Sequence, residues 1–388
     1  MATVASRMTQ GDAERRNVLF VLPSLARAGA ESQVLDLLES LSGGPWRLHL
    51  ATFEPATDQL ARVQAVGVQY HHIPRRGKWN PSFISGLGRL VDEAQIDIIH
   101  ATLNIAVLAA WCARTLASRK PPIIAAIHTT TSRNRKDALI GSWLYSPILR
   151  RCDAVNFVSY RQREHWLQQI PLEQERTSVI HNGVDTMRFA PSEGDALGRK
   201  RPTVVCIAAL RPEKGHRILL RAWQGVIAAR PDAQLLLVGD GPERGRIEGL
   251  IHQYGLAGSV VVLGIIQDVR PILSGAHLTV LPSTAVETLS LAALESLAMG
   301  VPVIATAIGG MPEAVLHEQT GLILEPGRPE ELATAILELL SDEPRRQVMA
   351  ANARADMLAR FRKERMGEET AALLERVIDN SGLHHALR

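Results

Sequence analysis

Short runs of β-branched and aliphatic residues alternate along the whole chain with longer stretches whose apolar positions recur at helical spacing. NVLFVLP, RLHLATF, IDIIHAT, PPIIAAIHT and DAVNFVS are nearly unbroken apolar runs of strand length, the pattern of strands covered on both faces of a parallel sheet. A helix-like segment follows each of them. After Arg199 the same rhythm restarts with TVVCIAAL, AQLLLVGD, SVVVLG, LTVLPS, VPVIAT and TGLILEP. Two successive βαβ series predict an α/β protein of two Rossmann-like, doubly wound parallel-sheet domains with a cleft between them. The join is HNGVDTMRFAPSEGDALGRKRP, rich in Gly, Pro and charge, and reads as a linker. The boundary falls near Asp185 to Lys200, dividing the chain into residues 1–187 and 188–369. From about Pro344 to Ala386 the pattern is helical throughout, and residues 370–388 are expected to pack back on the first domain.

Composition narrows the function classes without choosing among them. With 46% hydrophobic and 21% charged residues the chain is an ordinary globular one. A net charge of +3 is too small to imply nucleic acid. Cys112, Cys152 and Cys206 form no Cys-x-x-Cys pair, so neither zinc nor a disulfide framework is indicated, and a reducing compartment fits. The polar start, MATVASRMTQGDAERRNVLF, has no signal-peptide core, and no apolar run reaches the ~20 residues of a membrane span. A cytoplasmic protein is expected, free or peripheral on the inner face of the membrane.

The most informative segment is ETLSLAALESLAMGVPVIATAIGG, residues 287–310. Eight positions on one helix turn through about 800°, so Glu287 and Glu295 are no stacked helical pair. If Ser290 caps a helix over Leu291 to Met299 and Gly300 ends it, Glu287 lies in the loop ahead and Glu295 about 7 Å along the axis. The helix start between them, with its free N–H groups, is an anion seat. Carboxylate, anion seat, carboxylate matches the order of sugar, diphosphate and ribose in a nucleotide sugar, with both ionised carboxylates accepting from hydroxyls. Taken without context, the two glutamates are equally a solvated loop residue and an exposed helical one.

Together with ARAGAES, HNGVDTMRF, AALRPEKGH, LLLVGDGPE and HEQTGLILEPG, this segment resembles the Glu-x7-Glu pattern of retaining glycosyltransferases of GT-B fold, family 4 (glycosyltransferase group 1). The resemblance spans nearly the whole chain. It implies that Glu287 contacts hydroxyls of the transferred sugar and Glu295 the ribose. The backbone of Thr288, Leu289, Ser290 and Leu291 would then meet the β-phosphate, and Arg211 and Lys214 would be the cations on the diphosphate. A forked guanidinium and a point-charge ammonium suit two phosphates. By the same resemblance Gly29 lets backbone approach the diphosphate and acceptor, Gly239 borders the nucleotide pocket, and His128, ending PPIIAAIH, bonds a sugar hydroxyl or stabilises developing charge. His100, closing IDIIH, is a weaker candidate of that kind. The chain departs from the family twice: Ala28 replaces the first of two glycines, and Thr288, Leu289 and Ser290 replace a Gly-Phe-Gly-like run.

The implied activity is transfer of a hexose from a UDP- or GDP-sugar to a glycan or lipid-linked acceptor, in cell-surface polysaccharide or glycolipid synthesis, with Glu287, Arg211, Lys214 and His128 as catalytic groups. Asp-x-Asp, the metal signature of the other major glycosyltransferase fold, is missing from the sequence, so metal-independent transfer is expected, with no cofactor beyond the nucleotide sugar. Attack on the same face as the departing phosphate would retain configuration. Many cations between Arg75 and Arg163, interleaved with Trp79, Trp111, Trp143, Tyr145 and Trp166, make an anionic membrane a candidate contact, with KDALIGSWLYSPILRR its best segment; a solvated basic face with core tryptophans is the plain alternative. A nucleotide-sugar epimerase and a noncatalytic binding partner share the architecture. A dehydrogenase does not fit, because the third glycine of GDGPERG is displaced from the dinucleotide spacing.

Overall fold

The computed structural model describes residues 15–77, 80–128, 145–191 and 201–386, with side chains as far as 382. Seven strands form the first sheet: β1 (Arg16–Val21), β2 (Trp46–Thr52), β3 (Gln69–His72), β4 (Ile98–Thr102), β5 (Ile123–Ile127), β6 (Ala154–Phe157) and β7 (Thr177–Val179). They are all parallel in the order β3-β2-β1-β4-β5-β6-β7. The second sheet holds β8 (Thr203–Ile207), β9 (Gln234–Val238), β10 (Val260–Gly264), β11 (Leu278–Leu281), β12 (Val303–Thr306) and β13 (Gly321–Leu324), again parallel, in the order β10-β9-β8-β11-β12-β13. In each sheet the order reverses beside the first strand, at β1/β4 and β8/β11, and the crevice beyond those carboxyl ends is where such sheets take ligands.

Eleven of these thirteen strands coincide with the apolar runs of the sequence. The pattern missed β3 and β7. QYHH is partly exposed along its length and TSV has three half-buried residues, because both are edge strands with one side open and neither needs a continuous apolar run.

Alternate residues of the first sheet feed two cores. Leu19, Val21, Ile99 and Ala101 face the helices Ser82–Glu93 and Asn104–Leu116. Phe20, Leu22, Ile98 and Ile124 face the first helix, Gly29–Leu41, and the last, Lys363–Ala386, whose Met366, Leu373, Leu374 and Val377 complete that layer. The helical C-terminal stretch is therefore two helices, Glu343–Arg360 and Lys363–Ala386, broken at Phe361–Arg362 where the chain returns from the second sheet to the first. At that point Val184 N–H donates to Phe361 O (2.7 Å) and Lys363 N–H to Val184 O (3.1 Å), so the outward and returning segments are bonded side by side.

Several members of the basic, aromatic stretch have structural work. Trp111 and Trp166 pack against the first core. Arg114 pairs with Asp153 (2.8 Å), Arg119 with Asp97 (3.0 Å), and Lys120 Nζ donates to the carbonyls of Arg114, Thr115 and Ala117 at the end of a helix. Lys78, Trp79, Arg133, Arg135, Lys136 and Trp143 lie outside the described residues, as does most of KDALIGSWLYSPILRR. Among the described residues no helix is long and apolar enough to cross a membrane.

Several histidines are buried or half-buried in this framework. His49 Nδ1 lies 3.2 Å from His71 Nε2 across β2 and β3, and burial holds His49 at about 4. His216 and His128 also fall to about 4 and His100 to about 3, each chiefly through burial. A folded value below the unfolded one, about 6.5, means that the unfolded chain takes up these protons first. The stability they contribute is complete above pH ~6.5 and is lost as pH falls toward ~4. Melting temperature measured from pH 7 down to pH 4 should drop steadily; a flat profile would contradict the burial of these rings.

Candidate active site

Between β11 and the Leu291–Ala298 helix the chain makes a nine-residue loop, Pro282 to Ser290. Ser290 occupies the cap position, but its side chain makes no capping bond, which leaves the first amides of the helix for another acceptor. Glu287 is only 8% exposed. Its Oε2 accepts from Lys214 Nζ (2.8 Å) and from Ser283 Oγ (2.9 Å), so the cation and the carboxylate that the sequence assigned to separate parts of a ligand meet here.

Neighbouring loops interlock to hold this pair. Lys214 ends a one-turn 3-10 helix, Pro212–Lys214, and Gly215 follows in the left-handed region with φ 72°; a Cβ there would lie 1.9 Å from Pro282 O. Thr284 N–H donates to Glu213 O (2.8 Å). From the other side come the paired glycines of the motif. Gly309 has φ 55° and would place a Cβ 1.9 Å from Glu287 O, while Gly310 N–H donates to Thr288 O at 2.6 Å. Only residues without side chains can approach the loop this closely.

Arg211 opens the same 3-10 turn and is half-buried, with no side-chain hydrogen bond or ion pair to the described residues. Its loop is braced by the GDGPE turn: Leu210 N–H donates to Asp240 O (3.0 Å) and Glu243 N–H to Leu210 O (2.9 Å), while Gly239 N–H is tied to Gly264 O (2.8 Å). Gly29 begins the first helix, and a Cβ on it would sit 3.9 Å from Leu291 Cδ1, so this turn of the first domain faces the start of the Leu291–Ala298 helix. Ala28 takes extended backbone, φ −132°, and no positive φ is asked of it.

Three sequence expectations change. Glu295 is half-buried and its carboxyl is pushed up to about 8 by burial first and then by the charge of Asp36. Its proton is therefore held more tightly than that of an ordinary glutamate, and the protonated carboxyl can donate as well as accept. His128 stands just past β5, half-buried and held neutral by burial, which suits hydrogen bonding to a hydroxyl and not cationic stabilisation of charge. His100 is 3% exposed, two residues short of the end of β4, with its ring 5.0 Å from that of Phe20. It belongs to the core of the sheet.

Sequence reasoning missed four polar residues. Ser283 shares Glu287 with Lys214. Asn182, 4% exposed, donates from Nδ2 to Leu289 O (2.9 Å) across the seam between the domains. Glu313 of the second domain accepts the N–H groups of Tyr160 (3.0 Å) and Arg161 (2.8 Å), at the start of the Tyr160–Gln169 helix of the first, and bonds His181 Nε2 (2.9 Å). These contacts hold the Glu313 carboxyl below its usual range despite burial. The HNGVD run contained two of the four, but as a polar linker it carried no sign of its partners.

Comparison with known proteins identifies the family. The profile described as "Glycosyl transferases group 1" matches residues 192–356, and "Glycosyltransferase Family 4" matches residues 27–188. A GDP-mannose-dependent monoacylated alpha-(1-6)-phosphatidylinositol monomannoside mannosyltransferase of Corynebacterium glutamicum is 37% identical over 213 residues, 50% of this chain and 55% of the relative. The chain thus spans about half the length of that curated relative. A GDP-mannose-dependent alpha-(1-6)-phosphatidylinositol monomannoside mannosyltransferase of Mycolicibacterium smegmatis is 30% identical over 320 residues, covering 76% of this chain and 80% of the relative. Among solved structures, HepE of Anabaena, crystallised with UDP, superposes with a TM-score of 0.81 at 23% identity, covering 93% of this chain and all of that one. Two parallel-sheet domains matched along both halves, and a relative at this identity matched over most of its length, place the chain in the group 1, family 4 glycosyltransferases of GT-B fold.

Proposed function

We propose that this protein transfers a hexose from a nucleoside diphosphate sugar to a hydroxyl of a glycan or lipid-linked acceptor, with retention of anomeric configuration and without a metal ion. The observation that carries the reading is the Ser283–Glu287–Lys214 constellation beside the uncapped start of the Leu291–Ala298 helix, with Arg211 three residues before Lys214. The donor's diphosphate sits on that helix start, with Arg211 and Lys214 neutralising it as the bond to the anomeric carbon breaks. Glu287 holds hydroxyls of the sugar, Glu295 those of the ribose, and His128 a hydroxyl of the sugar from the side of the first domain. Gly29 lets the first domain's backbone come close to the diphosphate, and Gly239 keeps its turn against the nucleotide. GDP-mannose is the favoured donor and a mannosylated phosphoinositide the favoured acceptor, because those are what the Corynebacterium and Mycolicibacterium relatives are named for. Such an acceptor places the enzyme at a membrane surface.

Glu287, the carboxylate of the donor loop, is engaged with Lys214 and Ser283 and is assigned to the sugar's hydroxyls, not to its anomeric carbon. The acceptor hydroxyl therefore attacks from the face the phosphate leaves, and the departing oxygen takes its proton. Product NMR of a reaction with GDP-mannose and a phosphatidylinositol mannoside in excess EDTA tests all of this together. Turnover with an α-linked product is expected. Loss of turnover in EDTA, restored by a divalent ion, would refute metal independence; a β-linked product would refute retention; and donor consumed equally without acceptor would favour an epimerase.

A further inference from the structure

The hydrogen bonds on the back of the donor loop decide where its front points. Carbonyl and N–H of a trans peptide face opposite ways, and no described peptide is cis. Thr288 O is tied back to Gly310 N–H at 2.6 Å, which turns the N–H of Leu289 away from Gly310. Leu289 O is tied back to Asn182 Nδ2 at 2.9 Å, which turns the N–H of Ser290 away from Asn182. Neither of these amides has a partner among the described residues, and the side chain of Leu289 is anchored in the core at 2% exposure.

The two ties differ in origin. Gly310 belongs to the second domain, as the loop does, whereas Asn182 follows β7 of the first domain and reaches across the seam. Its position is fixed by its neighbours on either side. Gly183 exchanges two bonds with Gln33 (2.9 Å each), and the ring of His181 is held by Glu313. Gly310 also leaves no room beside Ser159, the residue before the Tyr160–Gln169 helix: a Cβ on it would be 2.7 Å from Ser159 Cβ.

We infer that Asn182 is a positioning residue for the donor: through the Leu289 carbonyl it aims the Ser290 amide at the diphosphate, so the first domain supplies part of the phosphate site without touching the ligand. This inference rests on the donor reading above. Its ligand is the β-phosphate of a nucleoside diphosphate, because an amide ahead of a helix start gives an anion a charge-assisted bond, stronger than the one it would give an uncharged base or ribose.

Isothermal titration of GDP, GMP, UDP and UMP against the wild-type protein, Asn182→Asp and Asn182→Ala separates the possibilities. Asn182→Asp keeps the shape but faces the Leu289 carbonyl with an acceptor, and Asn182→Ala removes the tie. In both variants the ratio of diphosphate to monophosphate affinity should fall about tenfold, the weight of one hydrogen bond to a charged group, while monophosphate affinity stays within twofold. Monophosphate binding also reports that the protein is folded. If either variant fails to fold, Asn182→Ser, which fits the space but is too short to reach Leu289 O, takes its place in the same comparison. Equal losses for mono- and diphosphates, or no loss, would overturn the positioning role. A wild-type protein that binds neither diphosphate would overturn the donor reading itself.

Discussion

Glu287→Gln should slow sugar transfer on the order of 10² to 10³-fold in kcat while changing nucleoside diphosphate affinity far less. The side chain is almost sealed from solvent and shares one oxygen between an ammonium and a hydroxyl. Glutamine preserves its size but not its charge. Lys214 then has no counter-ion there and faces an amide whose nitrogen is itself a donor, so the constellation must rearrange before a sugar can enter it. The proposed division of labour puts the loss on the sugar: a hydroxyl that bonded a carboxylate now bonds a neutral amide, and the sugar is held less firmly as the bond to phosphate breaks. Steady-state kinetics alongside nucleotide titration resolves the two effects. A variant within a few-fold of wild-type kcat would remove Glu287 from the catalytic site, whatever its contacts.

With Gly215→Ala beside it, Gly309→Ala should be among the most damaging single methyl groups in the molecule's second half. The residue has φ 55°, and the added carbon would be 1.9 Å from Glu287 O, a backbone atom that cannot swing aside as a flexible side chain could. Strain and overlap together cost on the order of 3 kcal/mol, which for a domain of this size lowers its melting temperature by on the order of 10 °C. Relief requires the Glu287–Thr288 backbone to move, so donor affinity should fall with it. Gly327→Ala is the matched control. It has φ 81°, but nothing lies within 4 Å of its added carbon, so it carries only the ~1 kcal/mol of left-handed backbone. Equal melting temperatures for the two variants would show that the close approach at Gly309 has no energetic consequence.

How far the sequence discloses this molecule depends on the distance between a residue and what it acts upon. Strands such as VVVLG and PVIAT announce themselves because they are apolar along their length, and the site's Glu287, Ser290 and Glu295 are legible because the helix start that organises them is their immediate neighbour. The edge strands QYHH and TSV are silent for the opposite reason. Asn182 finds its carbonyl 107 residues away, and Glu313 finds its amides 152 and 153 residues away. Nothing local distinguishes either from a solvated loop residue. Protonation is harder still to read. Glu295 departs from an ordinary glutamate because folding buries it and brings Asp36 of the first helix near, and neither condition is written in the eight residues around it.

The paired crossings at Val184 and Phe361–Lys363 limit what these two halves can do mechanically. A body joined to another by one thread can tumble and swing freely; joined by two threads laced together at one place, it keeps little more than a torsion about that lacing. Any opening between the halves is then expected to follow a single angular coordinate, retracing one path instead of exploring many.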